Sequence, residues 1–213
     1  MIRCVVFDFD GTLVVSNQIK RQTVLDIAKM HNEEALMVDI LNAHPGDRHS
    51  IFDLFVERSA KGIAAGSGSS LSAAMVTEYT DLCEQAITGC PEVPGASDLL
   101  ARLESLEVLK ALNSATPTKA LYPILRRRGW LGKFELMLGG PSTKAENLGA
   151  IAAEFRLEQR EILMVGDKRV DQIGAAEFGC HFVALVRPDS DFAEPLPSVL
   201  YSLSDLPALL AEM

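Results

Sequence analysis

Asp8-Phe9-Asp10-Gly11-Thr12 places two carboxylates two residues apart at the end of an apolar run that begins at Ile2. In an extended strand alternate side chains share a side, so Asp8 and Asp10 point one way and Phe9 the other. Two such acids repel each other unless a cation sits between them, and Gly11 permits a tight turn where a side chain would obstruct. A second acidic pair, Asp167 and Asp171, follows the apolar run Met164-Val165-Gly166. If a helix opens just after Asp167, Asp171 falls in its first turn, where an acid suits the helix dipole and points back toward the strand end. Four acids meeting at one sheet edge offer the hard oxygen ligands that Mg2+ takes, with room for water and a substrate phosphate.

Two further groups suit a phosphate. Ser114 follows the apolar stretch 108–112 and could donate a hydroxyl hydrogen bond, although alone it reads equally as a helix cap before Pro117. Lys144 precedes a helical stretch, at the end where the dipole disfavours a cation. An anionic ligand would account for it, and a solvated surface lysine is the plainer alternative.

The elements that must position these groups can be read from periodicity. Short apolar β-type runs recur at 2–9, 108–112, 134–138, 162–165 and 181–185, separated by helical patterns at 119–128, 145–155 and 170–178. Strands alternating with helices form βαβ units and a parallel sheet. The predicted fold class is therefore α/β, a doubly wound parallel sheet whose ligands bind beyond the carboxyl ends of the strands. The stretch 16–86 carries no strand pattern. Leu71, Met75, Tyr79, Leu82 and Ala86 fall on one helical face, Asn17 or Ser16 could cap a first helix to about Met30, Pro45-Gly46-Asp47 reads as a turn and 62–70 as a small-residue loop. The expected division is a core of 1–15 and 90–213 with a helical lobe of 16–89.

Composition bounds the function. With 213 residues, 48% hydrophobic and 23% charged, the chain can bury a sizeable core, and its net charge of −9 argues against a nucleic-acid backbone as partner. No apolar run approaches the roughly 20 residues that span a bilayer, and the start is charged too soon for a signal peptide, so no membrane partner and a cytoplasmic location are expected. The four cysteines form no CxxC pair and read as buried free thiols. The four histidines lack zinc-ligand spacing.

Taken in order, these residues resemble the haloacid-dehalogenase superfamily of phosphohydrolases. Asp8-Phe9-Asp10-Gly11-Thr12-Leu13 resembles its first motif, Ser114 stands at its second, Lys144 at its third, and Gly166-Asp167 with Asp171 at its fourth, followed by Ala175-Ala176-Glu177-Phe178-Gly179. The helical insert is similar to the cap of the phosphoglycolate-phosphatase-like subgroup. The resemblance implies a Rossmann-like core and two-step phosphoryl transfer to water from a small phosphorylated metabolite. It implies Asp8 as nucleophile, Asp10 as general acid and base, and Mg2+ held by Asp8, the Asp10 backbone carbonyl, Asp167 and Asp171. Ser114 and Lys144 would hold phosphoryl oxygens, with Thr12 orienting that loop, and the cap would exclude water and select the leaving group.

Lys168 and Arg169 depart from the pattern, either as contacts to an anionic substrate or as a solvated helix start. Arg48 is a candidate specificity residue in the cap, against an ordinary surface charge at a helix start. Arg126-Arg127-Arg128 reads as a helix carboxyl end. Asp10 argues against dehalogenase activity, and no one of Lys20, Lys29 and Lys61 stands out as a phosphonatase lysine. A sugar phosphomutase shares every core residue. A receiver-like signalling module also gathers acids at strand ends, but usually without such an insert and with its phosphoacceptor away from the first strand.

Overall fold

The computed structural model describes residues 1–44, 46–59, 68–196 and 198–213, so Pro45, Lys61 and positions 62–67 of the loop read from sequence lie outside the described residues. The chain divides into two units, Met1–Ser16 with Cys90–Met213, and Asn17–Gly89.

The first unit is built on six parallel strands: β1 (Cys4–Phe7), β2 (Leu109–Asn113), β3 (Leu136–Leu138), β4 (Ile162–Gly166), β5 (His181–Leu185) and β6 (Val199–Leu200). They lie in the order β3-β2-β1-β4-β5-β6. β1 is central, with Phe7 level with Leu112 on one side and Val165 on the other. The chain adds strands outward in one direction from β1 to β3 and in the other from β4 to β6. The crevice between the carboxyl ends of β1 and β4 is the topological switch point, where doubly wound sheets bind ligands. Every residue of β1 is buried, as its unbroken apolar run requires.

Strand alternation then decides what lies where. Cys4 and Val6 share a buried cluster with Leu148 and Ile151 of α7 (Lys144–Phe155) and Ala175 of α8 (Arg169–Phe178). Two residues on, Asp8 emerges with the same parity, aimed at the first turns of those two helices. Among the described residues the remaining α-helices of this unit are α5 (Ala96–Ser105), α6 (Thr118–Arg127) and α9 (Leu206–Glu212). α5, α9 and the two-residue β6 fall outside the elements read from sequence. Arg126 and Arg127 occupy the last turn of α6, as the sequence reading has it.

The second unit contains α1 (Asn17–Met30), α2 (Glu34–Ala43), α3 (Arg48–Arg58) and α4 (Gly68–Thr88), with no strand among its described residues. α4 packs on α1 and α3. Its buried stripe runs through Ser72, Met75, Val76, Tyr79, Cys83 and Ile87, whereas Leu82 is 39% exposed. Met75 and Tyr79 of the sequence face are buried, but beyond them Cys83 and Ile87 take the places expected of Leu82 and Ala86. After Tyr79 either continuation steps by three or four, so periodicity admits both. No described helix is long and apolar enough to cross a membrane. All four cysteines are free thiols, with Cys4, Cys83 and Cys90 buried and Cys180 half-buried.

Candidate active site

Asp8, Asp167 and Asp171 each bring a carboxylate oxygen to within 4.8 Å of one another, and all three side chains are buried. Asp8 comes from the end of β1, Asp167 from the end of β4, and Asp171 from the first turn of α8. Gly166 makes this possible, because a Cβ there would lie 2.4 Å from the Asp171 side chain. Asp171 Oδ2 accepts the Lys168 backbone N–H at 3.2 Å, closing the amino end of α8. Thr12, fully buried, donates to Asp167 Oδ1 at 3.0 Å.

Lys144 is the first residue of α7, and only 5% of its surface is exposed. The solvated alternative does not hold. Its ammonium lies 2.7 Å from Asp8 Oδ1 and 2.8 Å from Asp171 Oδ1, and it also donates to the backbone carbonyl of Asn113. Its start position is fixed by Thr143, whose hydroxyl accepts the Glu146 N–H at 3.2 Å while Glu146 accepts the Thr143 N–H at 2.8 Å. That capping box is legible as Thr143-Lys144-Ala145-Glu146, a signal passed over in the sequence reading. On the other side of Lys144 stands Gly174, where a Cβ would come within 2.3 Å of the lysine Cβ. α7 and α8 therefore approach closely enough for one ammonium to bridge acids from β1 and α8.

Burial raises the proton affinity of Asp8 most; the Lys144 charge pulls it back, and Asp171, Asp167 and Asp10 add to the rise, giving a pKa of about 8. For Lys144, burial alone would favour losing the proton, but the charges and hydrogen bonds of Asp171 and Asp8 outweigh it and hold the ammonium above its usual range. Both groups keep their protons, Asp8 through burial first and the neighbouring acids second, Lys144 through the acids against burial. Three converging carboxylates against the Lys144 ammonium form a hard, oxygen-only donor set in excess negative charge. A divalent cation such as Mg2+ fits that set.

Asp10 is nearly buried, but its carboxylate is not among the three that converge. It accepts from the Ser16 hydroxyl at 2.6 Å and from the Thr116 hydroxyl at 2.9 Å. Sequence reasoning missed both partners, since Ser16 reads there only as a helix cap. Thr116 is 106 residues from Asp10, so no local pattern announces it. Gly11 follows with φ of +82°, the left-handed turn that favours glycine. Ser114 is buried, with its N–H donating to Leu138 O at 3.0 Å and its hydroxyl accepting from the Thr116 N–H at 3.1 Å. The cap of α6 is Pro117 rather than Ser114.

Lys168 donates to Asp189 Oδ2 at 2.9 Å, and the Arg169 N–H donates to Asp191 Oδ1 at 2.8 Å, which ties the start of α8 to the loop after β5. Arg48 belongs to the helical unit. There it opens α3, donates to the Thr80 hydroxyl at 3.2 Å and lies over the Tyr79 ring at 5.6 Å.

The family model for haloacid dehalogenase-like hydrolases matches residues 2–179. A phosphoglycolate phosphatase from Photorhabdus laumondii is 27% identical over 199 residues, covering 86% of this chain and 80% of that protein. A phosphoglycolate phosphatase from Yersinia pseudotuberculosis is also 27% identical, over 96% of both chains. Among solved structures, a predicted phosphoglycolate phosphatase from Haemophilus somnus superposes with a TM-score of 0.78 at 22% identity, over 98% of both chains.

Proposed function

This chain belongs to the haloacid dehalogenase-like hydrolase family, and from that premise we propose that it is a magnesium-dependent phosphatase of small phosphomonoesters that works through a phosphorylated Asp8. The observation that carries the reading is the buried convergence of Asp8, Asp167 and Asp171 around Lys144 at the switch point of the sheet. The named relatives make phosphoglycolate the first substrate to try.

In the first step an Asp8 carboxylate oxygen forms a bond to phosphorus while the bond from phosphorus to the substrate oxygen breaks. Asp10 delivers a proton to that departing oxygen. In the second step a water oxygen bonds to phosphorus, Asp10 takes the water proton, and the bond from phosphorus to Asp8 breaks to release inorganic phosphate. The hydroxyls of Ser16 and Thr116 keep the Asp10 carboxyl in one place through both transfers. Lys144 and Ser114 hold phosphoryl oxygens, and Lys144 also favours the ionised Asp8 that the attack requires. Asp8, the Asp10 backbone carbonyl, Asp167 and Asp171 would hold Mg2+, which supplies charge neutralisation for the phosphoryl group when bound. Thr12 orients Asp167 by its hydroxyl and thereby sets the reach of that acid.

Phosphate release from a panel of phosphomonoesters, phosphoglycolate and sugar phosphates included, tests this with magnesium and with chelator. Release that requires magnesium is the expected result. Undiminished release in chelator would remove the metal from the account, and no release from any member would overturn the phosphatase reading.

A further inference from the structure

We propose that Asn113 and Asn147 form a buried amide pair that positions Lys144 and locks its placement to that of Ser114, an inference that rests on the reading of those two groups as phosphate-holding. Asn113 is the last residue of β2 and completely buried; Asn147 lies one turn into α7 and is 4% exposed. Asn113 Nδ2 donates to the backbone carbonyl of Lys144 at 2.9 Å. Asn113 Oδ1 accepts from Asn147 Nδ2 at 3.0 Å. The Lys144 ammonium in turn donates to the backbone carbonyl of Asn113. One residue thus grips the lysine at both ends, its main chain through the amide and its ammonium through the carbonyl.

The polarity of this arrangement follows from the Lys144 carbonyl, which can only accept. A primary amide presents a donor on one side and an acceptor on the other, so giving Nδ2 to that carbonyl leaves Asn113 Oδ1 to receive the Asn147 amide. Lysine carries one of the largest rotamer entropies of any side chain, and its ammonium has no directional fork of its own. An anchor at each end therefore decides where the charge stands. Because Ser114 is covalently next to Asn113, the same anchor fixes the separation of the two phosphate-holding groups. Stability alone does not call for the pair, since two apolar residues of equal size would fill the space without buried amides to satisfy.

The test uses the intact protein labelled with 15N-lysine in chelator-treated buffer at neutral pH. A slowly exchanging ammonium resonance that disappears in Lys144→Met is expected, which assigns it. Asn147→Asp keeps the size but replaces the donor by an acceptor, so Asn113 stands between two acceptors and cannot satisfy both that carboxylate and the Lys144 carbonyl. In that variant, with near-ultraviolet circular dichroism unchanged, the resonance is lost. In magnesium its kcat/KM falls about 10- to 100-fold, the scale seen for partners that orient metal ligands. Asn147→Ala removes the donor without reversing polarity and carries the test if Asn147→Asp does not fold. A folded variant that keeps both resonance and kcat/KM overturns the inference, as does one that loses activity with the resonance intact. Loss of the resonance on substitution in a protein that hydrolyses no phosphomonoester would overturn the phosphatase reading while supporting the positioning role.

Discussion

At the amino-terminal edge of the sheet Arg3 pairs with Glu161 at 3.2 Å across the starts of β1 and β4, with 58% and 24% of the side chains exposed. At the carboxyl edge of the same two strands Lys144 pairs with Asp8 and Asp171, and none of the three side chains is more than 10% exposed. The same kinds of residue at two ends of one sheet meet opposite physics. An exposed pair is screened by water and salt and contributes little. A buried cluster pays desolvation for every charge and persists only if each is matched. Stability does not ask for the second arrangement, so its presence at the switch point speaks for chemistry.

Four measurements probe the difference between the two edges. The largest effect is expected for Asp8→Asn, which removes the attacking oxygen: kcat with the preferred phosphomonoester should fall by about 10⁴-fold or more. A loss of less than tenfold would place the chemistry elsewhere. Lys144→Met comes next. It strips the ammonium from two buried acids, so kcat/KM should drop by about 10²- to 10³-fold. Metal-free stability should fall by about 3 kcal/mol in denaturant titration, and added magnesium should restore part of that stability.

The third effect is on pH. The folded, metal-free protein holds the Asp8 proton more tightly than the unfolded chain does, with a pKa of about 8 against the ordinary 3.8. The resulting stability is present below the unfolded value and is lost as pH rises through the folded one. Chelator-treated protein should therefore become less stable as pH climbs from about 4 to about 8. Magnesium competes with that proton, so its affinity, measured by calorimetry, should rise by up to about tenfold per pH unit over the same window and level off above it. The smallest effect belongs to the other edge. Arg3→Ala should leave kcat/KM unchanged and move the thermal midpoint little, and a clear loss of activity there would dissolve the contrast between the edges.

Much of this contrast is legible in the chain itself. Asp8 and Asp10 advertise themselves because an apolar run ends in acids at period two, and Asp167 with Asp171 because a strand end and a helix start stand four residues apart. The burial of Lys144 is not legible, since a lone lysine at a helix start looks the same in water as under a sheet. What hides it is tertiary: the closeness of α7 and α8 at Gly174, and the amides of Asn113 and Asn147 behind it. Ser16 and Thr116 escape for the same reason, because hydroxyls that serve a carboxylate 6 and 106 residues away leave no spacing signature. Beyond Tyr79 the buried stripe of α4 passes through Cys83 and Ile87 and not Leu82 and Ala86, a choice that steps of three and four leave open. β6 pairs just Ala184 and Leu185 with Val199 and Leu200, too short a run for any alternation to show.

The claim that everything else depends on is that phosphorus becomes bonded to Asp8. Acid quenching during turnover with magnesium, followed by mass analysis of the proteolytic peptides, tests it most directly. The expected result is a phosphoryl group on the peptide that contains Asp8, localised to that side chain and missing from Asp8→Asn. Steady turnover with the phosphoryl group on another residue, or on none while Asp8→Asn remains active, would contradict the account.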